Sequence, residues 1–317
     1  MKKNMFLPIL VLMLILVLVG CKKETEIVEP TIPPVEQPVV EVDENEKEVI
    51  MNEFNNLIGD NKEPDIMILY INENISKLSQ IEGDNMVDAL EISMQDYIET
   101  LTNKIFATDK DGELIKIAGL ESYFPEEKIS EIKNTELKDE VTKAYDNMYK
   151  LVNLEGEFYP IIDYSKLKVY DDNISGEWKE YIAIRAMDSD DIPFSDGGIR
   201  ITFEDLVNRI LKTENFLNSY IDGNRQDELL NLYENKLIAY MKGLPNTSIA
   251  DPQDNRLISE VLTSYRETAN MEGYVTANII YQYLEVIEEN ESVIDDKVLS
   301  KADGFIAEAV RILKEYK

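Results

Sequence analysis

Apolar residues return every three to four positions over most of the chain, the signature of helices that bury one face. Val49, Ile50, Phe54, Leu57 and Ile58 predict a helix over 46–58, and Ile68, Ile71, Ile75 and Leu78 a second over 65–79. Gly83-Asp84-Asn85 reads as a breaker. After it, Val87, Leu90, Met94, Tyr97, Leu101 and Ile105 share one face of a longer helix. Thr108-Asp-Lys-Asp-Gly112 is a turn signal, and Glu113 to Leu120 is the one stretch where a short strand or hairpin is expected. Helices resume near Pro125 and run to about Leu154, with Leu137, Val141, Tyr145, Met148 and Leu151 on the buried stripe.

Residues 155–201, rich in Tyr, Asp and Gly, break the period and leave room for one short helix from Ser175 to about Met187. Thr202 then opens a helix through Tyr220, with Asp205 completing a capping box. Four more helices follow, at about 224–242, 254–271, 274–289 and 295–316, separated by Gly223, Gly243 with Pro245, Gly273 and Asn290. Turns this short force neighbouring helices to run antiparallel. The expected fold is all-α, a multi-helix bundle or short helical stack. A helical block at 43–154 and another at 202–317 are joined by an irregular centre at 155–201. No fixed-period repeat is present, which argues against a solenoid.

The first residues follow a different logic. Lys2 and Lys3 precede an apolar run from Met5 to Val19, broken only by Pro8. That run is shorter than the roughly 20 residues of a membrane span and fits the core of a secretory signal. Leu18-Val19-Gly20-Cys21 follows at once and resembles the bacterial lipobox, in which an apolar residue and small residues precede a cysteine that is acylated before cleavage. The resemblance covers the first 21 residues. It implies a signal peptide at 1–20, lipid on Cys21, and a chain held at the cell membrane on its extracytoplasmic side. Two acyl chains give stable anchoring where one is marginal. Residues 21–42 read as a tether, with Pro30, Pro33, Pro34 and Pro38 among Glu and Val. At about 3.1 Å per residue, an extended segment of this kind reaches up to ~65 Å. Cys21 is the only cysteine, so the body must fold on packing alone.

Charge narrows the partners. The chain carries 32 basic and 63 acidic residues, a net −31, and loss of Lys2 and Lys3 with the signal would leave −33. Phosphate binding needs clustered Lys and Arg, so nucleic acid is excluded as a partner, and direct attachment to an anionic membrane surface is disfavoured. Cationic peptides, polyamines and divalent cations fit the charge, while cell-wall glycan or another envelope protein fits the location. Tyr159-Pro-Ile-Ile-Asp163-Tyr164, Lys179-Glu-Tyr181-Ile182 and Glu214-Asn-Phe216-Leu217-Asn-Ser-Tyr220 resemble a pattern in uncharacterised helical extracytoplasmic proteins of low-GC Gram-positive bacteria. That resemblance implies helical architecture and no particular activity.

The chain has no histidine. With Cys21 lipidated, there is no Ser-His-Asp triad, no Cys-His pair and no zinc-protease helix. The imelysin-like iron-uptake lipoproteins, whose signature needs His-x-x-Glu, are excluded for the same reason. Ser130-x-x-Lys133 and Ser165-x-x-Lys168 match a Ser–Lys spacing, but the numbers of Ser and Lys predict about one such match by chance, and no Lys-Thr-Gly accompanies them. A glycan hydrolase working through two carboxylates stays open as an alternative, because sequence cannot choose a pair among 63. For a metal, calcium is the better candidate. Asp171, Asn173 and Ser175, followed by Gly176, match the first half of an EF-hand loop, but Ile182 stands where a bidentate Glu is required. The competing reading is an N-cap at Ser175. Finally, 158–194 holds seven aromatics where the chain average would give about three, among them Tyr159, Tyr164, Tyr170, Tyr181 and the only tryptophan, Trp178. These rings are either a ligand-binding cleft for sugars or cations, or the core that joins the two blocks. The leading expectation is a non-enzymatic ligand- or partner-binding protein of the cell envelope. A structural or interaction protein of the envelope is the alternative of a different class.

Overall fold

The computed structural model describes residues 43–59 and 63–315; the expected signal, Cys21 and the tether lie outside the described residues. The fold is all-α, with two small hairpins. In order come α1 (Glu44–Gly59), α2 (Pro64–Asn74), α3 (Gln80–Thr108), α4 (Glu113–Ala118) and α5 (Thr135–Asp146). A hairpin of β1 (Tyr149–Leu154) and β2 (Glu157–Ile162) leads to α6 (Tyr164–Leu167) and α7 (Gly176–Asp190). A minimal hairpin, β3 (Phe194–Ser195) and β4 (Gly198–Ile199), precedes α8 (Phe203–Ser219), α9 (Gln226–Lys242), α10 (Ser259–Ala269), α11 (Val275–Glu289) and α12 (Asp296–Glu315). No helix among the described residues is long and apolar enough to cross a membrane.

The periodic segments became helices where expected, and the departures have local causes. Gly83 does not break a helix, since it lies in the first turn of α3. The break falls earlier, at Ser79, which caps α3 by accepting from the Glu82 N–H while Glu82 accepts from the Ser79 N–H. Glycine is needed at 83 for packing, because a Cβ there would stand 2.2 Å from the Asn173 carbonyl oxygen. Glu113 to Leu120 is also not a strand. Asp109 accepts from the Glu113 and Leu114 amides, capping α4, and the Glu113 carboxylate accepts from the Lys133 and Asn134 amides.

The helix expected to reach Leu154 stops at Asp146. Met148 takes a left-handed φ of 62° and turns the chain into β1, so Leu151 is buried from a strand. Glu155 and Gly156, both with positive φ, close an antiparallel hairpin with Leu151 opposite Pro160. The centre, 155–201, is therefore ordered, with α7 as its main element. The helix expected from 254 begins only at Ser259, because Ala250 bridges to Leu257 and Arg256 to Val293.

The described residues form one compact unit. α3 runs through its first half, packed by α1, α2, α5, β2 and the short 3-10 segment 168–173. In the second half α8 lies on α9, α10 on α11, and α11 on α12, which returns onto α9. Buried side chains from both halves and the centre make one core. Two polar pieces lock it. Glu214 on α8 accepts from the Val275 and Thr276 amides and the Thr276 hydroxyl, so it caps α11 from a neighbouring helix. Lys236 on α9, fully buried, reaches Asp188 on α7 at 2.6 Å, and Arg209 on α8 reaches the same carboxylate at 3.1 Å.

Candidate functional site

Four of the five candidate aromatic rings are core. Tyr164, Tyr170, Trp178 and Tyr181 are buried, with Trp178 only 2% exposed, which is the core arrangement and not an open cleft. The enrichment arises because α7 and its flanking segments fill the space between α3 and the C-terminal helices. Tyr170 donates to Asn72 on α2. Tyr159 alone is half-buried at the surface, packed edge-on against Phe106 at 5.0 Å.

These rings do form the floor of something polar. Glu91, on the buried face of α3, accepts from the hydroxyls of Tyr164 and Tyr181 at 2.5 Å each, both on one carboxyl oxygen. Its other oxygen accepts from Arg225 at 2.9 Å. Burial, and then the Glu91 charge, push both phenols above the usual tyrosine range, so they stay protonated and donate. Arg225 also holds Asp88 at 2.5 Å and Glu228 at 3.1 Å, while Arg185 on α7 pairs with the other Glu228 oxygen. Arg185 lies over the Tyr164 ring, 4.6 Å from its centroid, and Arg225 over Trp178 at 5.5 Å. Two guanidiniums thus face three carboxylates across α3, α7 and the start of α9. Glu91 is the buried carboxylate of the set, and loss of Arg225 would leave it with Arg185, 4.0 Å away, as its nearest cation.

A cavity of about 290 Å³ opens above this cluster, lined by Glu91, Ile92, Gln95, Asp96, Arg185, Arg225 and Glu228. A second, of about 550 Å³, is walled by Ile58, Pro64, Met67, Ala89, Ile92 and Tyr97, with Glu63, Ser93 and Asp96 at its edge. Both share Ile92 and Asp96, one turn apart on the outer face of α3. They adjoin at those two side chains, the first polar and the second largely apolar, in the size range of ligand pockets. Ile92 is 49% exposed, and among the described residues no hydrogen bond or ion pair reaches the Asp96 side chain.

The cluster also contains the close carboxylate pair that a glycan hydrolase would require. The Tyr181 hydroxyl lies 2.5 Å from Glu91 and 3.0 Å from Glu228, which keeps the two carboxyl oxygens within about 5.5 Å. Each of their four oxygens is occupied by a guanidinium or a phenol, which suits a structural lock better than acid–base chemistry. At the expected calcium loop, Asp171 and Asn173 lie on the 3-10 segment, and the Ser175 hydroxyl accepts from the Trp178 amide as the N-cap of α7. Among the described residues no group of three or more acidic side chains is placed to hold a metal ion. Of the Ser–Lys spacings, Ser165 donates to Asp190 and Ser130 to the Glu127 carbonyl.

Sequence reasoning did not find Ile92, Asp96, Arg185, Arg225 or Glu228. Ile92 carried the one available signal, an isoleucine off the buried stripe of its helix. No family model, curated protein or solved structure matches this chain.

Proposed function

We propose that this chain is a lipid-anchored, extracytoplasmic binding protein that takes its ligand in the groove along α3 and carries out no chemistry on it. The groove carries the reading. Two adjoining cavities share an exposed isoleucine and a carboxylate with no partner, beside a cluster that holds α3, α7 and α9 rigidly together. Packed walls and a solvent-facing carboxylate at the mouth suit a binding site. The lipobox-like Leu18-Val19-Gly20-Cys21 supports the location, and the acidic composition supports exclusion of nucleic acid. The second reading, a structural or interaction protein of the envelope, is favoured by burial of the central rings.

A photo-reactive phenylalanine analogue at position 92, in cells, tests the binding reading against the same analogue at the exposed position 281. We expect an adduct at 92 that Asp96→Asn or Ile58→Ser weakens. Equal, substitution-independent labelling at 92 and 281 would leave the structural reading in its place.

A further inference from the structure

We infer that the occupant of this groove is an amphipathic cation, a short peptide that sets lysine or arginine beside leucine-like side chains; the inference rests on the groove being the ligand site. Arg185 is held by Glu228, and Arg225 by Asp88, Glu91 and Glu228. Lys104, beside the apolar end, donates to the Tyr97 hydroxyl at 2.6 Å and lies 3.6 Å from Glu63. Arg185, Arg225 and Lys104 are thus largely spent on the protein's own groups, whereas the Asp96 side chain has no hydrogen bond or ion pair among the described residues.

Geometry supplies the second half. Asp96 stands one helical turn from Ile92, about 6 Å along the outer face of α3, and Ile92 continues into the wall formed by Ile58, Pro64 and Met67. A ligand matching both must place its charge about one turn from its apolar group. A polyamine has the charge without the apolar body, and a glycan has neither. The chain's own segment 22–42 carries five Glu against two Lys, so the same charge rule excludes it. The net −31 of the chain draws cations from a distance and raises their encounter rate.

The test uses the body from Asp43 onward, which contains the whole described core. Fluorescence anisotropy is read with labelled short peptides of leucine and lysine, leucine and glutamate, and leucine and glutamine, at physiological ionic strength. The leucine–lysine peptide is expected to bind saturably. Asp96→Asn should weaken it about three- to fivefold, the range of an exposed ion pair, and Ile92→Ser about tenfold. Both side chains are exposed, so both variants should keep the parent's melting temperature and remain interpretable. Leucine–lysine binding that neither substitution changes would reduce the effect to diffuse attraction by an acidic surface and overturn the inference. Binding of the glutamate or glutamine peptide with the same Ile92 dependence would keep the groove as the ligand site and overturn its cation preference. Spermine displacing the peptide through Asp96, with no role for Ile92, would overturn the amphipathic requirement. Loss of peptide binding on adding residues 22–42 would make that segment the occupant. Binding of none of the peptides would remove both the inference and the groove.

Discussion

Trp178→Ala tests whether the centre of the chain is core. The indole lies in the first turn of α7, 2% exposed, edge-on to Tyr181 at 5.2 Å and beneath the Arg225 guanidinium. Truncating a buried tryptophan costs about 3–5 kcal/mol, because the transfer energy is lost and a cavity is left that neighbours only partly fill. Here the neighbours are poorly placed to collapse, since Tyr181 and Arg225 are held by Glu91 and Glu228. For a domain of this size, each kcal/mol lowers the melting temperature by about 2–4 °C, so the variant should melt about 6–20 °C below the parent. The assay is thermal unfolding of the body from Asp43, followed by the helical circular dichroism signal. The same tryptophan, the only one in the chain, gives an independent reading. Its native emission should be blue-shifted and resist iodide quenching, then lose both properties on unfolding. A fall below about 2 °C, together with quenching in the native state, would refute the buried centre and the support it gives to the ion cluster.

Two further predictions concern particular contacts. Gly83→Ala should lower stability although alanine is the better helix former by about 1 kcal/mol, because the added methyl meets the Asn173 carbonyl and overpacking costs about 1–3 kcal/mol; a higher melting temperature would show that 168–173 does not lie against α3. Burial raises the Glu214 carboxyl above its ordinary pKa, so the folded state disfavours its ionised form. The stability advantage of the parent over Glu214→Gln should therefore shrink as pH rises from below the unfolded carboxylate range toward neutrality, and a pH-independent gap in urea titrations would contradict this.

Helix placement was readable because each helix buries a stripe whose 3.6 period survives in the sequence, as with Val87, Leu90, Met94, Leu101 and Ile105 on α3. What escaped was set by contacts far along the chain. Gly83 looked like a breaker because its reason for being glycine is a carbonyl 90 positions later. β1 was hidden at the end of a helical-looking run that only Met148 interrupts, and β2 fell in the stretch expected to be irregular. The aromatic enrichment at 158–194 was a true signal, but burial decides between cleft and core, and burial depends on what α3 and α9 bring to α7. The ion cluster was out of reach for the same reason. Arg225 and Glu91 are 134 positions apart, and nothing local marks that carboxylate among 63.

The location of the protein depends on lipid at Cys21. Cells expressing the full chain are fed a labelled fatty acid, and the protein is recovered and compared with Cys21→Ala. Label is expected in the parent and none in the variant, with the variant lost from the membrane fraction or retained in an uncleaved form. Equal label in Cys21→Ala would contradict this, as would an unlabelled parent.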